Sequence, residues 1–142
     1  MGSLDDLKIL DFSTLLPGPY ATLMLADMGA EVLKISSASR PDIVLDYPPF
    51  IGNTGVSASQ AWLGRNKKTM FLNLKTGEGK AVVKELVKEY DIVLEQFRPG
   101  VMEKLGLGYE DLKAVNPKLI YCSLTGYGQT GPLRDAAGHD IN

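Results

Sequence analysis

The 142 residues hold a single cysteine, a single histidine and a single tryptophan. One thiol, Cys122, cannot build an internal disulfide framework, and no C-x-x-C or Cys/His cluster has the spacing of a zinc site. No metal set is therefore expected. Neither sign of charge dominates: 15 Lys plus Arg face 17 Asp plus Glu, for a formal net charge of −2. That balance lacks the basic excess of a dedicated nucleic-acid binder. Long apolar runs are missing as well. The longest, 23–28, is broken by Asp27 and falls far short of the roughly 20 residues of a spanning helix. Residues 1–8 carry neither the basic nor the apolar stretch of a secretory signal. A cytoplasmic protein with no membrane or nucleic-acid partner is expected. The composition that remains, 44% hydrophobic and 23% charged, suits one folded α/β-sized unit rather than a disordered chain.

The order of patterns points to a doubly wound, mainly parallel α/β sheet of Rossmann-like type. Lys8–Phe12 reads as a buried strand, and the loop Ser13–Pro19 leads into a helix over Tyr20–Met28 with Gly29 as its C-terminal stop. Apolar groups on nearly all its faces predict an enclosed helix. Glu31–Ile35 completes a β-α-β unit, which implies a right-handed crossover. Segment 36–65 has no clean period, and a loop of that length is usually functional or mobile. Strand character resumes at Thr69–Leu74. Thr76 then caps an amphipathic helix to Tyr90, with Val82, Val83, Leu86, Val87 and Tyr90 on one face and Lys80, Lys84 and Lys88 on another. A strand at Asp91–Glu95, short helices at Val101–Leu105 and Tyr109–Val115, and a last strand at Leu119–Thr125 follow. The closing segment 126–142 is loop-like, so an N-terminal portion of something longer is expected.

Four features bear on chemistry. Gly126-Tyr-Gly-Gln-Thr-Gly131 matches G-x-G-x-x-G, but Pro132 follows and no helix opens there, so a strand-exit loop fits better than a dinucleotide site. Cys122, among Ile120, Tyr121 and Leu124, reads as a small core residue more readily than as half of a Cys–His nucleophile. His139, on a loop between Gly138 and Asp140, is suited to proton transfer near neutral pH, although an incidental loop histidine is the simpler reading. Arg98-Pro-Gly100, between a strand and a short helix, could present a guanidinium to a phosphate or could be a structural turn.

Taken together, several segments resemble the class III coenzyme A transferase family, which includes the 2-methylacyl-CoA racemases. They are Leu10-Asp-Phe-Ser-Thr-Leu-Leu-Pro-Gly-Pro19 running on through Leu25–Ile35, then Arg65-Asn-Lys-Lys68, Asn73-Leu-Lys75, Gln96-Phe-Arg-Pro-Gly100, Leu105–Tyr109, Asn116–Tyr121 and Thr125–Pro132. Ala137-Gly-His-Asp-Ile-Asn142 is similar to the racemase branch, where His139 would be one of two acid/base residues. The other, an Asp, would lie about thirty residues past His139 by that analogy, as would the nucleophilic Asp of the transferases.

The resemblance implies an acyl-CoA substrate, no separate cofactor and an interlocked homodimer. It implies that the chain is the CoA-binding part of a larger enzyme, whose remaining large domain and small domain lie outside these residues. It assigns CoA contacts to Lys75 and Arg98, with Leu15, Leu72, Gln96 and Phe97 along the path. Lys104 stands where relatives often have Arg, keeping the charge without the fork. Ser37 falls at the adenine-proximal Arg of relatives, with Arg40 three residues on. Racemisation of a 2-methylacyl-CoA through His139 is the main expectation. CoA transfer through an aspartyl intermediate is one alternative, and a non-catalytic CoA-binding module is the other. The isolated chain is expected to be inactive and prone to self-association through uncovered apolar surface.

Overall fold

The computed structural model describes residues 2–138. Strands β1 (Lys8–Asp11), β2 (Glu31–Ser36), β3 (Lys67–Phe71), β4 (Ile92–Glu95) and β5 (Ile120–Ser123) form one sheet in the order β3-β2-β1-β4-β5. All four pairings are parallel, with Leu10 opposite Leu33 and Val93. Crossing from one strand to a parallel neighbour requires a connection over a sheet face. Helices α1 (Pro17–Asp27), α4 (Gly77–Val87), α5 (Val101–Leu105) and α6 (Tyr109–Lys113) lie in those connections.

Alternation along the strands sorts the core onto two faces. Leu10, Phe12, Leu33, Ile35 and Val93 pack with Val83 and Val87 of α4, Met102 of α5 and Leu112 of α6. Ile9 and Val32 point the other way, to Ala26 of α1 and Ala30. Thr76 caps α4 as expected, its hydroxyl accepting from Gly79 N at 3.1 Å. Gly29 stops α1 with a φ of 109°, a conformation that costs other residues about 1–2 kcal/mol.

Three expectations need correction. Segment 36–65 is not structureless: α2 (Ile43–Asp46) and α3 (Ala58–Leu63) form within it, capped by Asp42 and Ser57. Helix α1 is not enclosed. It buries Thr22, Leu23 and Ala26 but leaves Tyr20, Met24 and Met28 open, with Trp62 of α3 tilted against Tyr20 at 5.7 Å between ring centroids. Cys122 is exposed rather than in the core: β5 is an edge strand, and Ile120 and Cys122 are on its open face.

Candidate functional site

In an open parallel sheet, ligands sit outside the carboxyl ends of the strands where the order reverses. Here that point lies between β1 and β4. A cleft of about 790 Å³ opens there, walled by Leu15, Leu16 and Pro17 after β1, by Gln96, Phe97, Arg98 and Pro99 after β4, and by Leu124, Thr125 and Gly126 after β5. Val44 of α2 and Arg134 complete its rim.

Ionisable residues inside the sheet prepare this end. Asp11, Lys34 and Glu95 stand at or near the carboxyl ends of the three central strands, all buried. Buried charge needs partners, and each has them. Asp11 Oδ1 accepts from Ser13 N at 2.8 Å and from the Ser13 hydroxyl, while Oδ2 accepts from Thr22 Oγ1. Lys67 Nζ lies 3.7 Å from Asp11 Oδ2 and donates to Pro19 O at 2.6 Å and to Thr22 Oγ1 at 2.7 Å. Burial pulls the Lys67 ammonium down to about 8, only partly opposed by Asp11. This network pins the 13–19 turn to the sheet. Gly18 is needed in it, since a Cβ there would overlap the Ser13 side chain. On the other face, Glu95 accepts from Phe97 N at 2.8 Å. Burial raises its carboxyl above the usual range, against the lowering effect of Ser123 and Phe97 N. Burial also raises the nearby Tyr121 phenol.

The first turn of α1 faces the cleft but offers no free donor. Pro17 and Pro19 have no N–H, Gly18 N donates to Gln96 Oε1 at 3.2 Å, and Tyr20 N donates to Leu16 O. A pyrophosphate therefore cannot be cradled there in the usual dinucleotide manner. Nor does a helix follow Gly126–Gly131, which is bends and turns. Side chains can meet the anionic groups of a ligand here, and Arg98 and Arg134 are the guanidiniums on the rim.

Leu15, Gln96, Phe97 and Arg98 are brought together along this cleft. Leu72 is half-buried against the core beside α4. Lys75, Arg40 and Lys104 are exposed and do not line the cleft. His139 lies outside the described residues. The sequence reading missed Lys67, Asp42 and Arg134. The available signal was a charged residue after the apolar run of each of three strands, at Asp11, Lys34 and Glu95. Among the described residues no cluster of His, Cys, Asp or Glu could hold a metal, and no helix is long and apolar enough to cross a membrane.

The sequence model of CoA-transferase family III matches residues 4–142. The chain belongs to CoA-transferase family III. It is 43% identical over 138 residues to human succinyl-CoA:glutarate CoA-transferase, covering 96% of this chain and 31% of that protein. It is 44% identical over 138 residues to succinyl-CoA–D-citramalate CoA-transferase of Chloroflexus aurantiacus, covering 95% and 33%. Among solved structures, a CaiB/BaiF family protein from Brucella suis superposes with a TM-score of 0.91 at 40% identity, covering 99% of this chain and 38% of that one. The chain thus spans about a third of the length of these family III relatives.

Proposed function

We propose that this chain forms the CoA-binding part of an enzyme that moves CoA from an acyl-CoA thioester to a free carboxylic acid, with short dicarboxylates as the acyl groups. The observation that carries the reading is the cleft at the β1/β4 reversal, edged by Arg98 and Arg134 with every N–H of the adjoining helix turn used or missing. Such a cleft suits a ligand whose negative charges are met by guanidiniums and whose apolar arm lies against Leu15 and Phe97. Identity above 40% to transferases named for succinyl-CoA and for dicarboxylate acceptors supports the substrate class.

In chemical terms, a carboxylate attacks the thioester carbonyl and expels the CoA thiolate, giving an acid anhydride. The thiolate then attacks the other carbonyl of that anhydride, which releases the donor acyl group as a free carboxylate and puts CoA on the attacking carboxylate. The described residues would contribute binding and orientation: Arg98 and the expected cations Lys75, Arg40 and Lys104 for CoA phosphates, Gln96 and Leu72 for the wall of its path. On the family resemblance, the nucleophilic Asp would lie outside these residues. The 2-methylacyl-CoA racemase expectation rested on His139, and the human and Chloroflexus aurantiacus relatives are named for CoA transfer instead. The homodimer and the cytoplasmic setting remain part of the proposal, with the open Tyr20, Met24 and Trp62 face in support of an assembled protein.

The test is to incubate the full gene product with succinyl-CoA and glutarate and to follow the two CoA thioesters chromatographically. Formation of glutaryl-CoA with equal loss of succinyl-CoA is expected. In a parallel arm, a 2-methylacyl-CoA is incubated in heavy water. Deuterium uptake at its α-carbon, without transfer in the first arm, would reinstate the racemase reading.

A further inference from the structure

The second cavity, of about 420 Å³, lies beside the cleft on the α1 side of β2 and β3, and Lys34 and Asp42 line it. Their side chains are 6% and 4% exposed and pair at 3.1 Å between Lys34 Nζ and Asp42 Oδ2. The same Oδ2 accepts from Leu15 N at 3.0 Å, and Oδ1 accepts from Val44 N at 3.3 Å. Leu15 and Val44 are both walls of the cleft. Leu15 also holds a φ of 61°, a left-handed backbone that a leucine adopts only when its surroundings impose it.

We infer that the buried Lys34–Asp42 pair is a positioning device, through which Asp42 holds the Leu15 backbone and thereby sets the shape of the CoA cleft. The Asp42 carboxyl group has enough lone pairs for its three donors, Lys34 Nζ, Leu15 N and Val44 N. Lys34 is fixed on β2 opposite Asp11 of β1, so the latch is anchored in the sheet rather than in the loop it restrains. The pair lines the neighbouring cavity rather than the cleft, and it acts on the cleft through Leu15 and Val44. The inference rests on the CoA reading of the cleft.

The charged pair can be exchanged without leaving a lone buried charge, since apolar replacements of both partners are often neutral for folding. Two double variants of the full gene product separate the roles. K34M/D42N keeps a carbonyl oxygen for Leu15 N, whereas K34M/D42L removes it. Titration calorimetry with CoA is expected to give a Kd within about threefold of the unchanged protein for the first and about tenfold weaker for the second, as one lost hydrogen bond implies. A merely structural role would weaken both alike, in step with their Tm; that result, or unchanged affinity in K34M/D42L, overturns the inference and leaves the CoA reading intact. Failure of the unchanged protein to bind CoA overturns both. Hydrogen exchange gives a check that needs no variant: the Leu15 amide is expected to be protected, and exchange at the rate of a free peptide overturns the latch.

Discussion

Gln96 on β4's exit loop is joined to Gly18 in the first turn of α1, Oε1 accepting from Gly18 N at 3.2 Å. Its Nε2 donates to Thr14 O at 2.6 Å, so one amide closes the sheet reversal from both sides. Gln96→Leu leaves a donor and an acceptor unpaired at the base of the cleft. A stability loss of about 1–3 kcal/mol is expected in urea unfolding. CoA affinity should fall as well, because the 13–19 turn loses its tie to β4.

Lys67 gives a pH signature with a defined sign. Its folded pKa of about 8 lies below its ordinary 10.5, so between those values the unfolded chain binds more protons. Stability attributable to this group therefore rises with pH across that window. The stability of the unchanged protein relative to Lys67→Met should increase from pH 7 to pH 10. A constant difference would show that the buried ammonium is not depressed.

Tyr90 works in the opposite direction. Its hydroxyl donates to Glu31 Oε1 at 2.9 Å, and burial with that bond raises it from 10.0 to about 12. Its contribution is complete below pH 10 and lost as pH rises towards 12. Tyr90→Phe should cost about 1 kcal/mol at neutral pH. The variant should also lack the part of the alkaline loss that belongs to this phenol.

Arg98 tests the side-chain route for anions, since the α1 turn has no spare N–H. Arg98→Ala should weaken CoA binding by about tenfold, the worth of one charge-assisted pair. Arg98→Lys should restore only part of it, because an ammonium cannot form the paired bonds of a guanidinium. Calorimetric titration at two salt concentrations checks both, with the salt dependence smallest in the alanine variant.

The cap at Thr76, the stop at Gly29 and the Val83/Val87 stripe were readable in sequence because each is decided within one or two turns of chain. The α2 and α3 helices escaped notice, although Asp42 and Ser57 carry their caps, because four and six residues are too few to show a period. Cys122 was misjudged for a different reason. An apolar neighbourhood along the chain says nothing about which strand ends up at an edge. The open face of α1 failed similarly, since helical apolarity does not say how much of it a sheet can cover.

The amino-acid sequence by itself determined the alternation of strands and helices, and with it a parallel sheet with crossovers, because those follow from local periodicity and from the handedness of the chain. Its ordered motifs also determined the family. Only the tertiary structure decided where charge meets charge. Lys67 reaches Thr22 across 45 residues of chain, and Asp42 reaches Leu15 across 27. Those pairings depend on strand order and register, which bring distant residues to the same end of the sheet. No local pattern in the sequence records that distance.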